Sequence, residues 1–323
     1  MADIASVVAS TMKVYGKTMW DNILTSIPLY SYLNAKGNVE VARGPFINES
    51  VAFAENTTVA FGDPKAQMSL TEQDPFRMIQ WAYGYCKGLV PIFTEYEIRD
   101  ADGNMAKRLI QNLEDTMTSV IGKSVFASGG ANTIAGLDAI CSATNTYGSV
   151  ADANGNVTAI SRAATGAFET AWASNVNSVT GTLTVGSGAN SMWTMYDTCK
   201  KQGGLGGSEP DLIVTTDALY AAYNATLTTN QRYVSQSMAN LGFDSIKFRN
   251  ARVVADPNCP EGKMYFLNTK FLKLRPSHLT LGRIGLTPAH QLQDYLGSVV
   301  QAYWAGNLIC TRPNSCGVLT GKS

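Results

Sequence analysis

Apolar positions change their spacing several times along this chain, and each change predicts a new element. Ile4, Val7, Val8, Met12, Tyr15, Met19 and Ile23 recur three and four residues apart, the spacing of one helical face, and Pro28 is expected to stop that helix. Over 39–74 the pattern shortens to alternating pieces at 39–41 and 57–61, broken by Gly44-Pro45 and Gly62-Asp63-Pro64. This predicts a long, exposed, hairpin-like excursion with little core of its own. Residues 76–85 alternate like one long strand with two faces, and 91–98 read as another extended segment.

The clearest helical stretch is 104–126, where Leu109, Leu113, Met117, Val120 and Ser124 form a stripe that Ile110 and Ile121 widen. Asp102 or Asn104 can cap its start and Gly129-Gly130 lies beyond its end. At the helical rise it would run about 35 Å, long enough to brace a domain. Further on, Asn154-Gly155 is a hairpin turn signal. Phe168, Trp172, Val176 and Val179 suggest a helix, and Met192, Trp193, Tyr196 and Cys199 another that ends at Gly203-Gly204. Residues 211–216 read as a short apolar strand entering a helix that Asp217 can cap, and 246–254, 264–274 and 295–311 as further strands. Helix and strand are mixed without a regular βαβ alternation, which predicts an α+β fold. There is no internal repeat of 20–50 residues.

Composition narrows the function. Charged residues are 15% of 323, against about 25% in an ordinary globular protein, while 45% are hydrophobic, enough for a large core. Lys plus Arg equals Asp plus Glu at 25 each. No net charge is available for tight, salt-sensitive nucleic-acid binding or for attraction to an anionic membrane, and little self-repulsion opposes association. The six cysteines, Cys86, Cys141, Cys199, Cys259, Cys310 and Cys316, contain no CxxC pair and only the last two are close, the usage of a reducing cytoplasm. Residues 1–20 lack the basic start and continuous apolar stretch of a secretion signal, and no run approaches a membrane span.

Motifs that could carry chemistry fail on spacing. The sequence at 317–323 resembles a phosphate-binding loop but has three residues between its glycines where four are needed, and no helix follows. Asp100, Asp102 and Asn104 begin like a calcium loop, but Met105 and Gln111 occupy the positions that need Gly and a bidentate acid. His278 and His290 lie in no zinc-ligand spacing and there is no GxSxG elbow. The glycines at 203–207 lack the dinucleotide spacing. Glu95 and Glu97 share a face as solvated acids commonly do, and Trp20, Trp81, Trp172, Trp193 and Trp304 are dispersed like core and interface anchors. No catalytic, cofactor-binding or metal-binding residue emerges.

A succession of segments carries a resemblance instead. Gly136-Leu137-Asp138-Ala139-Ile140, then 210–216, then Asn230-Gln231-Arg232-Tyr233, then 251–268, resembles in order and wording the major capsid proteins of tailed bacteriophages, and more loosely so does nearly the whole chain. The resemblance implies the Hong Kong-type capsid fold, an α+β architecture. It would comprise an N-terminal arm at 1–38, an extended β-hairpin loop at 39–74, a peripheral domain at 75–139 and 268–323 with the spine helix at 104–126, and an axial domain at 140–267. It further implies a non-enzymatic subunit without cofactors that self-assembles into hexamers and pentamers of an icosahedral head in the host bacterial cytoplasm. The implied partners are copies of itself, a separate scaffolding protein, a portal, a decoration protein as a further candidate, and packaged double-stranded DNA contacted weakly and non-specifically. No membrane is implied. A hairpin with no core becomes sensible when it lies on a neighbour, which makes Phe46, Val51, Phe53, Val59, Phe61 and Lys65 the candidate inter-subunit contacts.

Two departures from the family stand out. Some members carry a cleavable N-terminal scaffolding segment, whereas here the folded pattern begins within a few residues of Met1, so scaffolding by a separate protein is expected. Lys65 is the one lysine in the hairpin, and alone it does not establish the covalent lysine–asparagine lock of other members. The rival readings are a secreted-type carbohydrate-binding or hydrolytic protein, which lacks a signal and a catalytic set, and a tail-tube or decoration subunit, which the long helix and central mixed domain oppose.

Overall fold

The computed structural model describes residues 21–22, 26–52, 58–59, 61, 63, 76–95, 105–130, 132–151, 157–163, 172–186, 188, 191–202, 208–227, 245–278, 284–287, 290–291 and 296–323. The expected first helix therefore lies almost wholly outside the described residues, as do the caps at Asp102 and Asn104 and the glycines at 203–207.

In chain order the elements are α1 (Pro28–Ala35), β1 (Ile47–Ala52), β2 (Phe76–Trp81), β3 (Gly84–Phe93), α2 (Met105–Ser124), α3 (Leu137–Ile140), β4 (Thr146–Ala151), β5 (Val157–Ser161), β6 (Asn175–Asn177), α4 (Met192–Gln202), β7 (Leu212–Thr215), α5 (Asp217–Thr226), β8 (Ser245–Phe248), β9 (Ala251–Ala255), β10 (Met264–Leu267), β11 (Leu272–Pro276), β12 (Gly285–Leu286), β13 (His290–Gln291), β14 (Gly297–Cys310) and β15 (Gly317–Leu319). They form three sheets. The first runs β1-β2-β4-β5, and the second is built on β14, with β3 along one side and β11, β12 and β13 on the other. The third has six strands in the order β6-β15-β10-β7-β9-β8.

Side-chain alternation in the six-stranded sheet separates two cores. Leu212 and Val214 of β7, Val254 of β9 and Tyr265 and Leu267 of β10 enter the larger core. Their neighbours Ile213, Val253, Met264 and Phe266 enter a second core, with Met192, Met195, Tyr196 and Cys199 of α4 and Leu219 and Tyr223 of α5. Every residue of β7 and β10 is buried for this reason, which explains why these strands read as short continuous apolar runs.

The long helix α2 packs on β3. Gly88 permits the close approach, since a Cβ there would collide with the Leu113 side chain. The buried stripe is Leu113, Met117, Ile121 and Val125, spaced four apart, while Val120 is exposed. Pro91 is tolerated within β3 because, among the described residues, that strand pairs only with β14 and the missing N–H lies on its other edge.

Several expectations need correction. Pro28 opens α1, in the first turn after an extended Ile27, where a missing N–H costs nothing; the helix expected to end before it lies almost wholly outside the described residues. Val176 belongs to β6, not to a helix, because pairing with β15 overrides its local spacing. Residues 246–254 are two strands, β8 and β9, joined at Arg249 in the left-handed region with φ 52°. Thr216, not Asp217, caps α5 by accepting from the Leu219 N–H at 3.4 Å. The extended run over 76–85 is broken between β2 and β3. The chain's final strand, expected with the peripheral strands, pairs with β10 in the six-stranded sheet.

Leu113→Ala would open a cavity beneath α2 without removing a polar partner. It should cost about 2–5 kcal/mol in a urea unfolding experiment, whereas exposed Val120→Ala should fall within about 0.5 kcal/mol of wild type.

Candidate assembly surfaces

The β1–β2 hairpin runs from Ile47 opposite Trp81 to Ala52 opposite Phe76. Period-two alternation gives it two unlike faces. One carries Ile47, Val51, Ile79 and Trp81, all buried in the larger core. On the other, Phe76 and Met78 stand more than half exposed.

Ion pairs hold the base of this hairpin. Arg275 of β11 reaches Glu40 at 2.8 Å through Nη1 and Glu49 of β1 through Nη2, and Lys273 lies 3.4 Å from Glu40. The Arg275 and Glu49 side chains are both mostly buried, and Arg275 supplies the charge that compensates Glu49.

A second uncovered face belongs to β3 and β14. Residues of β3 on the α2 side are covered, but Tyr85 and Leu89 point the other way, and Tyr303 stands opposite Lys87 on the neighbouring strand. Tyr85, Leu89 and Tyr303 are 40–58% exposed, and the exposed Lys87 lies among them. Three large apolar side chains clustered on one face exceed the scattered exposure of an ordinary surface.

The candidate contact residues separate accordingly. Val59 and Phe61 are almost fully exposed, and Phe46 is partly so. Val51 is only 4% exposed and packs within its own subunit, so it is not free for a neighbour. Phe53 and Lys65 lie outside the described residues. Phe76, Met78, Tyr85, Leu89 and Tyr303 were missed, although their alternation with buried or polar neighbours is a sequence signal of two-faced strands.

Elsewhere the polar groups are structural. Asp138 of α3 takes Lys263 at 2.7 Å and the Tyr265 hydroxyl at 2.6 Å, tying α3 to the six-stranded sheet. Burial, then the Asp138 carboxylate, pushes the Tyr265 hydroxyl far above its ordinary value. Lys322 of the tail donates to the Val179 carbonyl at 2.6 Å and Gly317 begins β15, so this stretch is a folded strand end. Among the described residues, no group of three or more His, Cys, Asp or Glu could hold a metal ion, and no helix is long and apolar enough to cross a membrane.

No family model matches the chain, and no curated protein sequence matches it. Solved structures do. The capsid asymmetric unit of cyanophage A-1(L) aligns with a TM-score of 0.60 at 19% identity, covering 88% of this chain and 90% of that one. The capsid of the native GTA particle aligns with a TM-score of 0.59 at 10% identity, covering 89% of each chain. The SrpI encapsulin of Synechococcus elongatus PCC 7942 gives 0.54 at 8% identity, covering 88% and 85%. The chain has the Hong Kong-type capsid fold.

Within this fold the apolar surface that the described residues leave uncovered lies on the hairpin and on the outer face of β3–β14, and Arg275 ties the hairpin to β11. Arg275→Ala strands the Glu49 carboxylate in a mostly buried site. The expected cost is about 3 kcal/mol, read from the urea midpoint, and Arg275→Lys should recover part of it through its single charge.

Proposed function

We propose that this chain is the major capsid protein of a tailed bacteriophage, assembling into hexamers and pentamers of an icosahedral head around double-stranded DNA. The observation that carries the reading is a capsid fold spanning nearly the whole chain, combined with two apolar faces that the described residues leave uncovered. Because an encapsulin shares the fold, the phage assignment rests on the segments at 136–140, 210–216, 230–233 and 251–268. We assign the arm to 1–38, the extended loop to 39–74, the peripheral domain to 75–139 and 268–316, and the axial domain to 140–267 together with β15.

Charge supports head-to-tail contact between copies. Residues 245–323 carry ten Lys and Arg against three Asp and Glu, while 1–244 carry fifteen against twenty-two, so the neutral total conceals an acidic and a basic portion. The distal hairpin, 53–75, has four acids and one lysine. A heterologous interface joins two different patches and closes into rings, and complementary charge favours that encounter. The subunit has no enzymatic role in this reading. It assembles in the bacterial cytoplasm with a separate scaffolding protein, joins a portal and, as a further candidate, a decoration protein, and touches packaged DNA weakly because its net charge is zero.

The test must spare β1, since Ile47 and Val51 belong to the subunit core. Replacing 53–75 with a short Gly-Ser linker should leave the unassembled subunit with a wild-type-like cooperative thermal transition. Closed shells, scored by light scattering and electron microscopy with scaffold co-expression, should be lost. Normal shells from the linker variant would overturn the proposal.

A further inference from the structure

The loop at 256–263 joins β9 to β10 and on its way touches both α2 and α3. Asn258 lies against the backbone of α2, where a Cβ on Gly122 would come within 3.0 Å of its Nδ2. Lys263 reaches Asp138 of α3 at 2.7 Å. One short loop thus fastens the six-stranded sheet to two helices, and Asp256 sets its shape. The Asp256 Oδ1 accepts from the Asn258 N–H at 2.9 Å and from Asn258 Nδ2 at 3.3 Å. Its carbonyl accepts from the Cys259 N–H at 3.0 Å, and its own N–H donates to the Thr215 carbonyl at 2.9 Å.

The second carboxyl oxygen is left out of this network. Asp256 is 0% exposed, and its Oδ2 has no hydrogen-bond partner. The described cations on the elements packed around it are engaged elsewhere or turned to solvent. Lys263 is held by Asp138, Lys322 of the tail by the Val179 carbonyl, and Lys123, beside Gly122 on α2, is exposed. The other titratable groups there are Asp217 at the start of α5 and Glu261 of the loop, both exposed, and the buried Cys259. An ionised carboxylate buried with one oxygen unpaired is costly, and the neutral acid is much less so. Burial accordingly pushes the Asp256 carboxyl above the ordinary carboxylate value; the two Asn258 donors pull it part of the way back, and the Asp217 charge adds to the rise.

We propose that Asp256 makes this loop a proton-operated clasp, which grips α2 more firmly when the carboxyl is neutral than when it is ionised. Opening the loop hydrates the carboxyl and returns it to its ordinary value. The closed loop therefore binds the proton more tightly than the open one. Its grip strengthens as pH falls through the raised value, and that added strength is lost as pH rises through it. Every contact involved lies within one subunit, so the inference stands apart from shell formation.

The experiment follows the unassembled full chain by hydrogen exchange and urea unfolding from about pH 4 to about pH 8, a range that starts at the ordinary Asp value. After correction for the pH dependence of chemical exchange, the Cys259 and Lys263 amides and the α2 amides around Gly122 should be several-fold better protected at the acid end. In Asp256→Asn that pH response should vanish. The urea midpoint of Asp256→Asn should match or exceed that of wild type at the alkaline end, and the gap should close at the acid end. Wild-type protection at these amides that stays flat across the range overturns the proposal, as does an Asp256→Asn variant destabilised equally at every pH. The wild-type exchange profile decides the matter even if the variant fails to fold.

Discussion

Alternate side chains of β7, β9 and β10 enter two different cores, and that double burial determines how the rest of the molecule is arranged. A strand apolar on both faces must be covered twice. Helices α4 and α5 cover one side of the six-stranded sheet, and the other side packs into the core that also receives α2, β3 and β14. The ion pair and hydrogen bond at Asp138 join α3 to β10 across this junction.

The same economy leaves surfaces unfinished. Helix α2 covers one face of β3–β14, and the larger core takes one face of the β1–β2 hairpin. Nothing described covers the opposite faces, where Tyr85, Leu89 and Tyr303 on one and Phe76 and Met78 on the other remain exposed. For a lone subunit this would be an aggregation hazard. For a subunit that meets copies of itself it supplies two different patches, as ring closure requires.

Much of this was legible before any coordinates. The long helix, β7 running into α5, α4, and β14 follow from local periodicity, because burial there has the period of the element itself. What local periodicity could not reveal is pairing at a distance. Val176 has helical spacing to Trp172 and Val179 yet lies beside β15, and the final strand joins β10 far from β14. Pro28 begins α1 after an extended Ile27, a start that spacing alone did not reveal. Among the contact candidates, hydrophobicity alone could not separate Val59 and Phe61, which are exposed, from Val51, which the register with Arg77 turns inward. The outer residues of β2 and β3 were missed because an alternating strand does not announce which face a neighbour will cover.

The central claim is that these outward apolar side chains are buried by other copies. Hydroxyl-radical footprinting of the unassembled subunit and of assembled particles measures that side chain by side chain. Strong protection on assembly at Phe61, Met78 and Tyr85, with little change at the buried Met117, is the predicted result. Equal labelling of Phe61, Met78 and Tyr85 in the two states, with particles verified intact, would contradict it.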